Sequence, residues 1–199
     1  ILLIQKRELE KRLKENYIER SIKLKSPNLI NVIIGPRRAG KSFFAIHVLK
    51  KFGNFGYVNF DDERLLEIKD YDEIISSINS IYNNPKFLLL DEIQNLDKWE
   101  LFVNRLQRQG YNVVITGSNS KLLSKELATH LTGRHLVINI LPFSFKEFLN
   151  IENKELTKNE IKEKLDYYLD YGGYPEPLFK KLDYSDYLST LFNSIIYKD

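Results

Sequence analysis

Apolar positions along the chain form two alternating kinds of pattern. Short, nearly continuous apolar runs occur at Leu29-Ile30-Asn31-Val32-Ile33-Ile34, Tyr57-Val58-Asn59-Phe60, Phe87-Leu88-Leu89-Leu90, Val113-Val114-Ile115 and Leu136-Val137-Ile138-Asn139-Ile140. Between them, apolar residues recur at helical spacing over residues 41 to 52, 70 to 83, 98 to 109 and 120 to 131. Strands buried on both faces read as unbroken apolar runs, so five such runs with four helical crossovers predict a parallel sheet with helices on both sides, a three-layer α/β sandwich. Upstream, Leu9, Leu13, Tyr17 and Ile18 lie at helical spacing among Glu and Lys, which predicts a surface helix over Arg7 to Ile18. Beyond Pro142 the pattern is helical only, over Phe143 to Leu149, Asn159 to Tyr171 and Tyr184 to Tyr197. In the turn Gly172-Gly173-Tyr174-Pro175-Glu176-Pro177 the glycines end one helix, and Pro175 is expected to break whatever follows. The predicted organisation is an N-terminal helix and lead-in over 1–28, an α/β core over 29–142 and a small helical lid over 143–199.

Composition narrows the class. With 199 residues and 43% apolar positions the chain can bury one sizeable core. Cysteine is absent, which excludes a disulfide framework and a thiolate metal site and fits a reducing compartment. No apolar run approaches the ~20 residues of a spanning helix, and the first residues lack the pattern of a signal peptide, so a cytoplasmic protein with no membrane partner is expected. The chain begins at Ile1 and contains no Met, which reads as a processed or trimmed chain. The net charge of +3 is local: residues 1 to 25 hold eight Lys or Arg against four Glu, and the remainder is near neutral. Because acids interleave with the bases, a solvated helix face is the plainer meaning, with a nucleic-acid footprint left open. His47, His130 and His135 are too dispersed to suggest a metal site.

The chemistry lies at the ends of the apolar runs. Gly35-Pro36-Arg37-Arg38-Ala39-Gly40-Lys41-Ser42 is a complete G-x-x-x-x-G-K-S loop directly after the first strand, with Phe43 next in the helix that follows. A strand-loop-helix turn of this kind aims backbone N–H groups and the positive end of a helix dipole at one concavity, which suits polyphosphate. Lys41 can then neutralise β and γ oxygens, and the Ser42 hydroxyl can ligate magnesium. Arg37 and Arg38 either add positive charge at the loop or point to solvent. The third strand ends in Asp91-Glu92, at the carboxyl edge where the phosphate loop also lies. Asp91 is therefore expected to hold the magnesium, and Glu92 to act as general base on the attacking water. The fourth strand runs into Thr116-Gly117-Ser118-Asn119-Ser120, where Ser118 or Asn119 is expected to sense the γ-phosphate, against the alternative of an ordinary turn with Ser120 as a helix cap.

Taken in order, the loop Gly35 to Ser42, Tyr57-Val58-Asn59-Phe60-Asp61-Asp62, Leu90-Asp91-Glu92-Ile93-Gln94 with Trp99, Ile115-Thr116-Gly117-Ser118, Leu131-Thr132-Gly133-Arg134, Leu141-Pro142-Phe143-Ser144-Phe145 and Gly172-Gly173-Tyr174-Pro175 resemble the AAA+ superfamily of P-loop ATPases, in its archaeal and bacterial ATPase branch. The resemblance covers nearly the whole chain. It implies a P-loop NTPase core with strand order 5-1-4-3-2, ATP and ADP as ligands with Mg2+, and in many relatives a further C-terminal domain. It also implies that Arg134 is an arginine finger reaching the γ-phosphate of a neighbouring subunit in a homo-oligomer, against the alternative of a structural Arg paired with a carboxylate. Pro175 resembles the proline of a glycine-x-proline turn that related signalling ATPases lay against adenine. No Arg follows Arg134, so a lid arginine of the second-sensor type is missing.

Two functions of different class fit. One is an ATPase that couples hydrolysis to lid or oligomer rearrangement. The other is a slow nucleotide-gated switch or scaffold that recruits a DNA or protein client. A P-loop kinase has no need of the Asp91-Glu92 pair, and GTP specificity is disfavoured because no N-K-x-D base-reading motif occurs.

Overall fold

A computed structural model describes residues 1–24, 26, 28–117, 131, 133–180 and 182–198. The chain packs as two units: Ile1–Tyr17, Ile22–Ile34 and Lys41–Asn139 form the first, and Ile18–Ser21, Gly35–Gly40 and the residues from Ile140 onward form the second.

The first unit is built on five parallel strands, β1 (Ile30–Ile34), β2 (Phe55–Asn59), β3 (Phe87–Asp91), β4 (Asn112–Thr116) and β5 (His135–Asn139), in the order β2-β3-β4-β1-β5. This is the expected 5-1-4-3-2 order, read from the other edge. Every residue of β1 is buried, as its unbroken apolar run requires for a strand with neighbours on both sides. β2 begins two residues before its apolar run, at Phe55-Gly56. Gly56 reads as turn but belongs to the strand, since a Cβ there would lie 2.5 Å from Ile78 and 3.0 Å from Leu88 side-chain atoms.

The helices of this unit follow their apolar stripes. In α2 (Lys41–Lys50) Phe44, Ala45, Ile46 and Leu49 are buried. A four-residue helix, α3 (Glu63–Leu66), is capped by Asp62, and α4 (Tyr71–Tyr82) is capped by Asp70. α4 buries Ile74, Ile78 and Tyr82 at i, i+4, i+8, and each such side chain stabilises the packed state by about 1.5–3 kcal/mol. α5 (Trp99–Arg108) buries Trp99, Phe102, Val103 and Leu106. The helix predicted at 120 to 131 lies outside the described residues.

The N-terminal helix differs from expectation. α1 spans Leu2–Arg12 instead of Arg7 to Ile18, and buries Leu2, Gln5 and Leu9. The displaced boundary has a local cause: the exposed-looking Gln5 is an interface residue, accepting a hydrogen bond from Asn59 N–H at 2.9 Å and donating to Asn59 C=O at 3.0 Å. Tyr17, expected on the helix, instead stacks parallel on His47 with ring centroids 4.4 Å apart.

The second unit is helical: α6 (Phe145–Leu149), α7 (Lys158–Tyr171), α8 (Pro175–Lys180) and α9 (Tyr184–Lys198). Ser144 and Glu147 close a capping box at α6, and Thr157 and Glu160 close another at α7. Buried Glu147 also accepts from Ser21 N–H at 3.0 Å and pairs with Arg20 at 3.5 Å, while the Arg20 guanidinium lies 4.7 Å over the Phe143 ring. Gly173 permits a close backbone crossing: its carbonyl accepts from Phe143 N–H at 2.8 Å, and a Cβ on it would fall 2.1 Å from the Phe143 oxygen. Pro175 does not break the following segment as expected. It is the first residue of α8, the helical position where proline's missing N–H and fixed φ cost nothing.

Candidate functional site

The sheet register decides which side chains meet at the carboxyl edge. Leu90 lies opposite Ile115 in the β3/β4 pair, and Asn59 opposite Asp91 in the β2/β3 pair, so Asp91, Thr116 and the end of β2 come to one level. Asp91 is buried and, among the described residues, accepts from three hydroxyls. Its Oδ1 accepts from the Ser42 hydroxyl at 2.7 Å and from the Thr116 hydroxyl, and its Oδ2 accepts from the Tyr57 hydroxyl at 3.2 Å, with Arg12 donating to that same Tyr57 oxygen at 3.2 Å. Burial pushes the Asp91 carboxyl up, against the pull of the Thr116, Ser42 and Tyr57 hydrogen bonds and the Arg12 charge. Burial, aided by the Asp91 charge, likewise pushes the Tyr57 hydroxyl up.

Glu92 follows with φ of 51°, a left-handed conformation rare for a side-chain-bearing residue. Its backbone N–H donates to Thr116 Oγ1 at 3.1 Å, so one threonine hydroxyl bridges both acids. Its carboxylate accepts from Gln94 Nε2 at 2.6 Å. Burial raises the Glu92 carboxyl, Asp91 raises it further, and Gln94 and Lys41 oppose both.

The phosphate-loop residues Gly35 to Gly40 lie between β1 and α2. Gly35 has φ of 153°, and a Cβ there would sit 1.9 Å from the Ile140 carbonyl oxygen, so only glycine fits. Ala39 N–H closes a turn on Pro36 C=O at 3.3 Å. Arg37 is exposed. Arg38, at φ of 62°, has a definite partner: its guanidinium is ion-paired with Glu176 on α8 and lies 5.8 Å over the Tyr187 ring. The Glu176 hydrogen bond holds the Arg38 guanidinium above its ordinary range. Gly40 lies near Pro175, since a Cβ on it would come 3.8 Å from Pro175 Cγ. Lys41 opens α2 and is buried. Phe43 turns toward His47 and Tyr17, with ring centroids 4.5 and 6.1 Å away.

Of the remaining expected residues, Arg134 is exposed just before β5, its carbonyl accepting from Ile30 N–H at 3.0 Å. Ser118 and Asn119 lie outside the described residues. Sequence reasoning passed over Thr116, Tyr57 and Gln94.

Residues 27–149 match the AAA domain family. The chain belongs to the AAA domain family. An uncharacterized protein of Methanocaldococcus jannaschii is 44% identical over 175 residues, covering 82% of this chain and 40% of that one. An uncharacterized protein of Haemophilus influenzae is 37% identical over 174 residues, covering 81% of this chain and 43% of that one. The chain thus spans less than half the length of these relatives. Among solved structures, AMPPCP-bound DnaA from Aquifex aeolicus matches with a TM-score of 0.52 at 20% identity, over 89% of this chain and 58% of that one, a likeness of fold. Family membership and the G-x-x-x-x-G-K-S loop support nucleotide binding by this AAA protein.

Magnesium, usual in this family, suits the donor set. Ser42 and Asp91 present a hydroxyl and a carboxylate in mutual contact, both hard oxygen donors. Among the described residues no group of three or more His, Cys, Asp or Glu is placed to hold a metal ion. Among the described residues no helix is long and apolar enough to cross a membrane.

Proposed function

We propose that this AAA domain binds Mg-ATP and hydrolyses it to ADP and phosphate, coupling turnover to rearrangement of the helical unit or of an oligomer. The observation carrying this reading is the 2.7 Å contact between Ser42 Oγ and Asp91 Oδ1, which joins the phosphate loop's last residue to the end of β3, 49 positions away. In this reading the backbone of residues 35–40 and Lys41 hold the β and γ phosphates, and Ser42 and Asp91 hold Mg2+. When bound there, the ion would supply neutralisation of the charge that develops on the phosphates. Glu92 takes a proton from the attacking water, a role suited to a partly buried carboxyl held above its ordinary range by burial. In the same reading exposed Arg134 reaches into the site of a neighbouring subunit, and Pro175, near Gly40, contacts the base.

A slow nucleotide-gated switch is the second reading, favoured by one observation: the 2.6 Å Gln94 bond engages the Glu92 carboxylate. Calorimetry with Mg-ATP beside steady-state turnover separates the two. E92Q is expected to bind Mg-ATP as the parent does and to lose turnover by ~100-fold or more, in the range of general-base catalysis. Near-parental turnover in E92Q removes Glu92 from the chemistry, and absence of binding heat in the parent removes the reading. Slow parental turnover with tight binding favours the switch.

A further inference from the structure

Tyr57 is a buried hydroxyl that the proposed chemistry does not use. It sits on β2 at 2% exposure, and its Oη lies 3.2 Å from Asp91 Oδ2 and 3.2 Å from Arg12 Nη1. The direction of both hydrogen bonds is forced. A guanidinium only donates, so the Tyr57 oxygen accepts from Arg12, and the single phenolic proton is left to point at Asp91. The Tyr82 hydroxyl donates to the Tyr57 carbonyl at 3.4 Å and steadies the strand from behind. Arg12 is itself fixed in place. It falls on the same face of α1 as Leu2, Gln5 and Leu9, the residues that dock this helix, and Gln5 clasps both backbone groups of Asn59, two residues along β2 from Tyr57.

We infer that Tyr57 is a positioning residue for the metal ligand Asp91, and that Arg12 locks its proton in place, so that the N-terminal helix tunes the affinity of the site for Mg2+. The carboxylate is gripped from two sides. Ser42 and Thr116 fix Oδ1, and Tyr57 fixes Oδ2, which sets the rotation of the carboxylate plane. Outer partners of metal ligands act in this way, and their loss costs about 10–100-fold in metal affinity. The inference rests on the reading that Asp91 takes Mg2+.

The test is a Mg2+ titration of fluorescent mant-ATP binding to the full chain, with EDTA as the metal-free arm. Tyr57→Phe is expected to raise the half-saturating Mg2+ concentration about 10-fold while mant-ATP affinity in EDTA stays within about twofold. Arg12→Leu is expected to shift it in the same direction by a few-fold, and it carries the test alone if Tyr57→Phe does not fold. Asp91→Asn is the control. If it loses Mg2+ dependence while Tyr57→Phe and Arg12→Leu titrate as the parent, the positioning role is overturned and the metal reading stands. If Asp91→Asn also titrates as the parent, both fall together. Equal weakening of mant-ATP binding with and without metal marks a merely structural hydroxyl and overturns the inference.

Discussion

At the scale of single residues, Glu92 joins a backbone cost to the proposed role of general base. A left-handed glutamate held through its own N–H by Thr116 is a local arrangement that costs on the order of 1 kcal/mol or more. Because burial raises the Glu92 carboxyl above its ordinary 4.5, the acid limb of a kcat/KM profile is expected to lie above that value, measured from pH 4 to 8. The sign for stability is the reverse. A carboxyl with a raised folded pKa stabilises the fold below its unfolded value and loses that contribution as pH rises through the folded one, so E92Q is expected to melt higher than the parent at neutral pH. Lys41, Ser42, Asp91 and Glu92 were legible as candidates because loop spacing and strand ends are written in the order of residues. Thr116, Tyr57 and Gln94 were not, because their partners are set by register across strands and by a turn after β3, which a one-dimensional pattern does not encode.

At the scale of elements, the strands were legible to within two residues and the helical crossovers within the described residues nearly as well, since continuous apolar runs and i, i+4 stripes follow from burial alone. Two elements were misread for opposite reasons. α1 was placed too late because its interface uses a glutamine's hydrogen bonds in place of an apolar side chain, and α8 was missed because Pro175 opens a helix as readily as it breaks one. The junction at α6 also depends on polar grip. Arg20 and Glu147 are 5% and 7% exposed, and burial raises the Glu147 carboxyl less than Ser144, Ser21 and Arg20 lower it. Removing one partner leaves a buried charge, so Arg20→Ala is expected to destabilise the protein by ~3 kcal/mol or more in urea unfolding near neutral pH. With its folded pKa lowered, Glu147 contributes stability above the unfolded value that is lost as pH falls through the folded one, so the Arg20→Ala deficit should shrink in strong acid.

At the scale of the whole molecule, the AAA fold and its sheet order were anticipated from motif order, whereas oligomeric state and client are properties of surfaces that a single chain's pattern does not fix. Arg134 is exposed, and the proposed trans role ties it to a second copy. Mixing Arg134→Ala chains with Lys41→Ala chains, each inactive alone, is expected to restore turnover at hybrid interfaces; a mixture no more active than either parent stock returns Arg134 to a structural role. One further consequence follows from the Gln5 clasp. β2 lies at the border of the sheet, and there the Gln5 amide engages the Asn59 N–H and C=O that a sixth strand would otherwise pair with. The side chain thus impersonates a strand and blunts a template for unwanted β-addition. Deleting the first twelve residues is expected to leave a protein that self-associates as its concentration rises, visible by light scattering, and Gln5→Leu should show the same tendency more weakly.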